Sequence, residues 1–305
     1  MSKHFLSGAE LSPADLAQIL ERAAVFKDDR EALAAQRGPL AARTVALIFE
    51  HPSTRTRMSS EVAVYELGGH PMVLSGANMQ LARGESVKDT ALVTSRFVHA
   101  IGIRTGSHST VEDLAAHATV PVFNLLTDQH HPMQGLADLL TMQQRFGSLE
   151  GRKLAYVGDG NNVAASLMVL GAMAGMTIAV ATPEGFEPAP EAVALAESVA
   201  TAGGAIELTN DPQAAAAESD AVYTDVWVSM GEQDSGAKKA ALASFQLSGE
   251  LLAHAKPDAI ALHCLPAHVG EEITEDALYG PRSAIFDQAE NRLHVQKALL
   301  EFLVS

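Results

Sequence analysis

Short apolar runs alternate with segments of helical periodicity along the first part of the chain. Residues 45–49 have the composition of a buried strand, whereas Met58, Val62 and Tyr65 recur at helical spacing. The alternation predicts strands at 44–49, 71–74, 100–104 and 120–125, and helices at about 13–33, at 55–67, after the polar segment 80–90 and near 110–118. Because strands alternate with helices, we expect a parallel sheet covered by helices on both faces.

The second half of the chain repeats this alternation. It predicts helices at 134–146, from 162 to about 174 and from about 289 to 303, and strands at 153–157, 177–181, 205–208, 221–224, 259–263 and 284–286. With 305 residues the chain is long enough for two domains of ordinary size. The predicted fold class is therefore α/β, with two Rossmann-like domains, each a parallel sheet flanked by helices, joined by helices. We place the boundary between residues 130 and 131.

Composition narrows the classes of function. The formal net charge of −16 argues against general nucleic-acid binding, so an anionic ligand would need a local basic pocket. No apolar run reaches the roughly 18–20 residues of a membrane span, and residues 1–5 do not resemble a signal peptide. The single cysteine excludes an intrachain disulfide. We therefore expect a cytoplasmic protein without a membrane partner.

The most informative polar segment follows the first predicted strand and begins the next helix. A helix N-terminus carries unpaired N–H groups and the positive end of the helix dipole, and both favour an anion. Ser53, Thr54 and Thr56 add hydroxyl groups, and Arg55 and Arg57 add guanidinium groups that match phosphate oxygens. The segment predicts a phosphate site; the alternative is a serine-capped helix with two surface arginines.

Other polar side chains follow predicted strands, where ligands of parallel sheets bind. Arg104 ends a strand, and His131 and Gln134 begin a helix where they could polarise a carbonyl group. Asp225 follows a strand, and an acid there suits a cationic group such as an α-ammonium. Each has a plain structural alternative, namely a surface arginine, a His-Pro loop and a turn-forming aspartate.

Three further positions need separate interpretation. The Gly-Asp-Gly-Asn-Asn segment at 158–162 suggests a dinucleotide, but Val163 breaks the glycine pattern, and Asn162 can instead offer its amide to a carboxylate. Cys264 suggests a nucleophile, although a lone buried cysteine is usually inert. Arg292, near the start of the last helix, is either a ligand or a solvated helix arginine. The histidines have no zinc-type spacing, so we expect no metal and no cofactor.

In this order, the segments resemble those of the aspartate/ornithine carbamoyltransferase family. The resemblance covers most of the chain and is carried by Ser-Thr-Arg-Thr-Arg at 53–57, His-Pro-x-Gln at 131–134, Asp-x-x-x-Ser-Met-Gly at 225–231 and His-Cys-Leu-Pro at 263–266. It implies that carbamoyl phosphate is bound by Ser53, Thr54, Arg55, Thr56, Arg104, His131, Gln134, Cys264, Leu265 and Arg292. It likewise implies that ornithine is bound by Asn162, Asp225, Ser229 and Met230, and that Arg104, His131, Gln134 and Cys264 are catalytic.

The resemblance also implies an organisation. Residues 1–130 would bind carbamoyl phosphate, with a C-terminal helix at about 289–305 packing back onto them, and residues 131–288 would bind ornithine. Relatives form homotrimers with sites at subunit interfaces, so the loop 80–90 would come from a neighbouring subunit.

The implied reaction transfers the carbamoyl group of carbamoyl phosphate to the δ-amine of L-ornithine, giving L-citrulline and phosphate in arginine metabolism. Direct attack through a tetrahedral intermediate is expected. The nearest alternative is a carbamoyltransferase acting on N-acetylornithine, putrescine or aspartate. A nicotinamide-dependent dehydrogenase and a non-catalytic binding subunit are alternatives of other classes; nucleotide protection from heat would favour the first, and a turnover assay tests the second.

Overall fold

The structure, a computed structural model, describes residues 3–36, 38–228 and 236–305. The chain forms two compact units, one comprising Met1–Leu140 with Glu290–Ser305 and the other Thr141–Ala289. The predicted boundary at residue 130 lies just before a helix that starts at Pro132, whereas the units divide inside that helix. Its first residues, up to Leu140, belong to the first unit.

The first unit is built on a parallel sheet. Within the described residues its strand order is β2-β1-β3-β4. The strands are β1 (Thr44–Phe49), β2 (His70–Ser75), β3 (Ala100–Arg104) and β4 (Val122–Leu126). The helices are α1 (Pro13–Asp28), α2 (Arg30–Ala34), α3 (Thr54–Glu66), α4 (Val87–Thr94), α5 (His108–His117), the start of α6 (Pro132–Phe146) and most of the C-terminal helix Ile285–Val304.

The second unit repeats this plan. Among the residues that the structure describes, its sheet has the parallel order β7-β6-β5-β8-β9. The strands are β5 (Lys153–Val157), β6 (Thr177–Ala181), β7 (Ala205–Thr209), β8 (Ala221–Thr224) and β9 (Ile260–His263). The helices are α7 (Asn162–Met173), α8 (Pro190–Val199), α9 (Pro212–Ala216), α10 (Gly236–Leu242), α11 (Gly249–Leu252) and α12 (Glu275–Tyr279), so the C-terminal helix is α13. The predicted α/β fold class is confirmed.

The strand orders determine where a ligand can bind. In each sheet, the chain passes from the first strand to a neighbour on one side and later returns to form the neighbour on the other side. The order therefore reverses between β1 and β3 in the first unit and between β5 and β8 in the second. Crevices at the carboxyl ends of strands beside such a reversal are the usual ligand sites of open parallel sheets.

One predicted strand is wrong. The apolar character of residues 284–286 predicts a strand, but α13 already begins at Ile285. Pairing with β9 is limited to one bridge between Ser283 and Ala261, after which Gln288 N–H donates to the carbonyl of Ala284 and the helix continues. The apolar residues therefore pack as the first turn of a helix, and the last helix starts earlier than the predicted residue 289.

Smaller differences concern helices. The single helix predicted at 13–33 is interrupted at Asp29, whose φ of −112° and ψ of 30° separate α1 from α2. Helices α8 to α12 have no counterpart among the predicted elements. Most of them are only four to seven residues long, and such segments carry little periodicity. No helix in the described part of the chain has both the length and the apolar character needed to cross a bilayer.

Candidate active site

The loops after β1 and β3 meet at the reversal point of the first sheet. The backbone N–H of Glu50 donates to the carbonyl of Arg104 at 3.0 Å, so the two strand ends are held side by side. The guanidinium of Arg104 is only 4 % exposed and donates to the hydroxyl of Ser53 at 3.1 Å. The predicted phosphate loop and the predicted strand-end arginine are therefore neighbours.

Ser53 occupies the N-cap position of α3, yet its side chain makes no capping hydrogen bond among the described residues. Its hydroxyl group accepts from Arg104 instead. This arrangement speaks against the alternative in which Ser53 serves only to cap the helix. It links the helix N-terminus, which favours anions, to a buried cation.

The two arginines of the loop have different environments. Arg57 is exposed and forms an ion pair with Glu61 on the same helix at 2.6 Å. Arg55 is half-buried, and its Nε is buried without a hydrogen bond to any described residue. Arg55 therefore has a buried donor that a ligand can satisfy, whereas the Nε of Arg57 is already paired with Glu61.

Arg292 extends this cluster from α13. Its guanidinium donates to the hydroxyl of Thr56, and both residues are buried. On the same helix, Asn291 accepts a hydrogen bond from Lys27 of α1 at 2.8 Å, which holds this part of α13 against the first unit. The interpretation of Arg292 as a solvated helix arginine is therefore wrong.

His131 and Gln134 lie at the start of α6, and both are buried. The amide nitrogen Nε2 of Gln134 donates to Oδ1 of Asp138, one helical turn further on, at 2.8 Å. Asp138 is fully buried, and the sequence motifs did not include it. Its i, i+4 spacing from Gln134 is the one signal in the sequence that could have indicated it. The bond fixes the amide so that its oxygen and nitrogen cannot exchange positions freely.

The electrostatics of the first unit favour an anion. Burial holds the pKa of His131 well below its usual range, and the positive charges of Arg292, Arg104 and Arg55 lower it further. The imidazole is therefore neutral near pH 7. The chain as a whole has a net charge of −16, so this cluster is a local concentration of positive charge in an acidic protein.

The second unit has its polar side chains at its own reversal point. Asn161 caps α7, accepting from the backbone N–H of Val163 at 2.9 Å, and its Nδ2 donates to Oδ2 of Asp225 at 2.9 Å. Asn162 is the first residue of the same helix. Burial raises the pKa of Asp225, while His263 and the bond from Asn161 oppose that rise. A buried carboxylate at this point suits a cationic ligand group.

Packing, rather than nucleotide binding, explains Gly160 in the turn after β5. A Cβ on Gly160 would lie 2.3 Å from the backbone nitrogen of Pro188 and 2.5 Å from the carbonyl carbon of Glu187. Gly160 is therefore required by the close approach of another backbone segment. Lys238 adds an ion pair to Asp159 at 2.9 Å.

The segment after β9 is held by a buried histidine. The Nδ1 of His263 accepts from the backbone N–H of Leu265 at 2.7 Å, and its Nε2 lies 3.2 Å from Oε1 of Glu272. Leu265 has a left-handed φ of 61°, an unusual conformation for a branched side chain. Cys264, between them, is half-buried. Glu272 was not indicated by any sequence motif.

The predicted ornithine residues Ser229 and Met230 lie outside the described residues. The other predicted site residues fall into one group in each unit. The first unit contains Ser53, Thr54, Arg55, Thr56, Arg104, His131, Gln134 and Arg292, and the second contains Asn162, Asp225, Cys264 and Leu265.

One group of side chains has the composition of a metal site. Ligand atoms of His268, Glu271 and Glu272 lie within 4.8 Å of one another. Protein groups already bind these carboxylates, because Lys239 contacts Glu271 at 2.9 Å and Glu272 accepts from His263 and from the backbone N–H of His268. The carboxylates of this group are therefore held by internal hydrogen bonds and by the ion pair between Lys239 and Glu271.

Fold and site define an α/β protein of two units, with a buried cationic cluster in one and a buried carboxylate in the other. Family models match nearly the whole chain. One, described as the carbamoyl-P binding domain of aspartate/ornithine carbamoyltransferase, matches residues 3–144. Another, described as the Asp/Orn binding domain of the same family, matches residues 150–303.

Individual relatives agree. An ornithine carbamoyltransferase of Acidothermus cellulolyticus is 55 % identical over 100 % of this chain and 97 % of its own. An anabolic ornithine carbamoyltransferase of Pyrococcus furiosus is 49 % identical over 94 % of this chain and 91 % of its own. A solved structure of ornithine carbamoyltransferase from Pyrococcus furiosus superposes with a TM-score of 0.93 at 46 % identity, covering 98 % of this chain and 96 % of that one. The chain belongs to the aspartate/ornithine carbamoyltransferase family.

Proposed function

We propose that the chain transfers the carbamoyl group of carbamoyl phosphate to the δ-amine of L-ornithine, giving L-citrulline and phosphate. The observation that carries the proposal is the buried cluster of Arg55, Arg104, Arg292 and His131 at the reversal point of the first sheet. A chain of this family with such a cluster is suited to a phosphorylated donor. In this proposal the first unit binds carbamoyl phosphate and the second binds ornithine.

The phosphate end of the donor is bound at the N-terminus of α3. Backbone N–H groups of that helix start, the hydroxyl groups of Ser53 and Thr54 and the guanidinium of Arg55 are the donors. The buried Nε of Arg55 has no other hydrogen-bond partner among the described residues, so binding phosphate satisfies it. The same contacts stabilise the phosphate as it leaves.

The carbonyl end of the donor is polarised by buried groups. Negative charge develops on the carbonyl oxygen as the tetrahedral intermediate forms, and in this proposal Arg104, Thr56 and His131 donate to it. A neutral imidazole can donate one hydrogen bond without adding a fourth positive charge. Gln134, whose amide is oriented by Asp138, holds the carbamoyl group on its other side.

The ornithine end is bound by the second unit. Asp225 pairs with the α-ammonium, and Asn162 donates its amide to the α-carboxylate. Ser229 and Met230 complete this set in the proposal, and they lie outside the described residues. Asn161 holds the Asp225 carboxylate in place through its Nδ2. This pairing distinguishes an amino acid from a simple diamine, which has no α-carboxylate.

The attacking amine must be neutral, whereas a free alkylamine has a pKa near ~10. Desolvation beside cationic groups favours the neutral form. The amine then attacks the carbonyl carbon, a C–N bond forms, and the C–O bond to phosphate breaks. The proton on the nitrogen passes to a phosphate oxygen, so no separate protein base is required. Cys264 and Leu265 line the carbamoyl group and the amine.

We also propose that the chain acts as a homotrimer. The first unit exposes several large apolar side chains, and the most accessible are Met58 at 63 %, Tyr65 at 75 % and Phe97 at 72 %. Exposed apolar surface of this kind is typical of interfaces between subunits. In this proposal the loop 80–90, including the exposed Lys88, completes the site of a neighbouring subunit.

A cytoplasmic role in arginine biosynthesis completes the proposal. The biosynthetic part is supported by the similarity to the Pyrococcus furiosus protein, whose name includes the word anabolic. Formation of citrulline is the direction in which carbamoyl phosphate, an activated donor, drives the reaction.

The test is an incubation of the pure protein with carbamoyl phosphate and L-ornithine. Citrulline and phosphate should form in equal amounts, and both should depend on the protein and on ornithine. Phosphate release without citrulline would indicate hydrolysis of the donor and would contradict the proposal. Lack of any turnover would favour the binding-subunit alternative.

A further inference from the structure

The turn that precedes His131 is fastened by one buried hydroxyl group. Thr127 is fully buried, and its Oγ1 lies 3.1 Å from the backbone nitrogen of His130, 3.3 Å from the carbonyl oxygen of His130 and 3.0 Å from Nδ1 of His108. The backbone N–H of Thr127 also donates to the carbonyl of His130 at 2.9 Å. A hydroxyl group has one donor and two acceptor positions, so it can donate to the carbonyl of His130 and accept from the backbone N–H of the same residue.

A second side chain supports the same turn. Asn124 is fully buried on β4, and its Nδ2 lies 3.4 Å from Oγ1 of Thr127 and 3.4 Å from the carbonyl oxygen of His130. Asn124 Nδ2 also donates to the carbonyl of Leu6 at 2.8 Å. The backbone of His130, directly before His131, is thus bound on both its N–H and its carbonyl.

The turn is also tied to the loop that follows Arg104. Thr105 N–H donates to the carbonyl of Leu126 at 3.1 Å, and Asp128 N–H donates to the carbonyl of Gly106 at 3.1 Å. The carboxylate of Asp128 accepts from the backbone N–H of His108 at 3.0 Å, at the start of α5. Arg104 and His131 therefore stand on two loops that share a continuous set of hydrogen bonds.

We propose that this set, formed by Thr127, Asp128, Asn124 and His108 and called the clamp below, positions Arg104 and His131 relative to each other. Its members are positioning residues. The inference rests on the proposed function, because the spacing of the two side chains matters only if both donate to the same carbonyl oxygen. The clamp contacts neither α3 nor its phosphate loop through these bonds, so it acts on the carbamoyl end of the donor.

The physical reason is the precision that charge stabilisation demands. Donors stabilise a developing oxyanion only when they lie at hydrogen-bond distance from it, and a displacement of about 1 Å can cost about a hundredfold in rate. Without the Thr127 hydroxyl, the backbone N–H of His130 loses its side-chain partner and the turn can relax. Arg104 and His131 would then no longer reach the oxygen together.

The test compares Thr127→Val, which keeps the shape of the side chain, with Thr127→Ser, which keeps the hydroxyl group. For Thr127→Val we expect kcat/KM for carbamoyl phosphate to fall between about tenfold and about a hundredfold, with KM for ornithine unchanged. We expect Thr127→Ser to restore most of the lost activity. Thr110→Val is the matched control, because Thr110 lies on α5 and its hydroxyl hydrogen-bonds to nothing in the described ranges.

Binding separates positioning from a general loss of folding. In Thr127→Val, the affinity for carbamoyl phosphate should fall, whereas the affinity for inorganic phosphate should change by less than about twofold. Misfolding would lower the fraction of binding sites for both ligands without changing either dissociation constant. If Thr127→Val does not fold, Asp128→Ala provides the same test, because Asp128 is exposed. A smaller loss of affinity for carbamoyl phosphate is then expected.

The clamp is overturned if Thr127→Val, or Asp128→Ala in its place, binds carbamoyl phosphate as the wild type does, or if both phosphate ligands weaken equally. These binding results do not depend on ornithine. A wild type that binds carbamoyl phosphate but forms no citrulline would therefore refute the proposed function and leave the clamp testable by the same measurements.

Discussion

At the scale of single residues, Arg55 offers the sharpest test of the phosphate site, because its buried Nε has no hydrogen-bond partner among the described residues. Replacing Arg55 by alanine removes a charge-assisted contact worth about 1.5–3 kcal/mol. We expect kcat/KM for carbamoyl phosphate to fall between about tenfold and about a hundredfold. Steady-state kinetics with varied carbamoyl phosphate measures this.

Arg57→Ala is the control for Arg55→Ala. Arg57 lies two residues away on the same helix, is exposed, and forms its ion pair with Glu61. Exposed helix pairs contribute only about 0.3–0.5 kcal/mol to stability, so the substitution should leave the fold intact. Because Arg57 has no role in the proposed site, kcat/KM should stay close to that of the wild type. Unchanged kinetics in Arg55→Ala would refute the assignment of the phosphate loop.

Cys264 distinguishes direct transfer from a covalent intermediate. The neutral amine is already a competent nucleophile and the donor is already activated, so a carbamoyl-thiol step would remove no barrier. We expect Cys264→Ser to keep measurable activity, with KM for ornithine raised more than KM for carbamoyl phosphate. Mass spectrometry after incubation with carbamoyl phosphate alone should find unmodified protein. A carbamoylated Cys264 formed at the rate of turnover would overturn direct transfer.

The sequence could predict some of these residues and not others. Ser53, Arg55 and Arg104 were identifiable because a strand end followed by polar or basic residues is visible in one dimension. Asn161 and Glu272 were not, because their importance lies in the atoms they contact, at Asp225 and His263, which are distant along the chain. Such contacts exist only after folding.

At the scale of elements, alternation of apolar and helical segments predicts the central strands well. Strands β1, β3, β5, β6 and β8 have the predicted bounds because they are buried on both faces and read as continuous apolar runs. The same rule failed at residues 284–286. There, the apolar residues Ala284 and Ile285 are buried in a helix start, and a run so short does not distinguish a strand from a buried helix.

The buried histidines at the turn before α6 should make the free energy of unfolding decrease in acid. Burial lowers the pKa of His130 to about 4 from 6.5, with a smaller effect from His108, and the pKa of His108 is lowered as well. Between pH about 4 and pH 6.5, the unfolded chain binds more protons on His130 than the folded chain does. The free energy of unfolding therefore rises with pH in this range. His130 alone should cost about 3 kcal/mol of unfolding free energy as the pH falls from about 6.5 to about 4.

Urea unfolding at several pH values across that range measures this effect. His130→Gln removes the titrating group, so its unfolding free energy should decline less steeply towards acid than that of the wild type. Equal slopes for the two proteins would show that His130 titrates alike in the folded and unfolded chains and would contradict the account of the turn.

At the scale of the whole molecule, the chain has a net charge of −16, yet three arginines lie near one buried histidine. If the trimer exists and the loop 80–90 enters a neighbouring site, two impaired variants can complement each other. Arg55→Ala and Lys88→Ala would each lower the activity of their own homotrimers. Mixing their subunits should restore activity, because some shared sites then contain neither substitution.

Subunit exchange is followed with two affinity tags, and the doubly tagged fraction is assayed. Recovery of a fraction of wild-type turnover supports shared sites. Doubly tagged trimers that remain inactive would show that each chain builds its site from its own residues, and the role of the loop 80–90 would be refuted.

The most direct measurement of the central claim is kcat/KM with carbamoyl phosphate for a panel of acceptors: L-ornithine, N-acetylornithine, putrescine and L-aspartate. An acceptor site with Asp225 for an ammonium and Asn162 for a carboxylate requires both α-groups of a free diamino acid. We predict the largest kcat/KM for L-ornithine, with citrulline as product. A larger value for any other acceptor, or no carbamoylated product from any of them, would contradict the account.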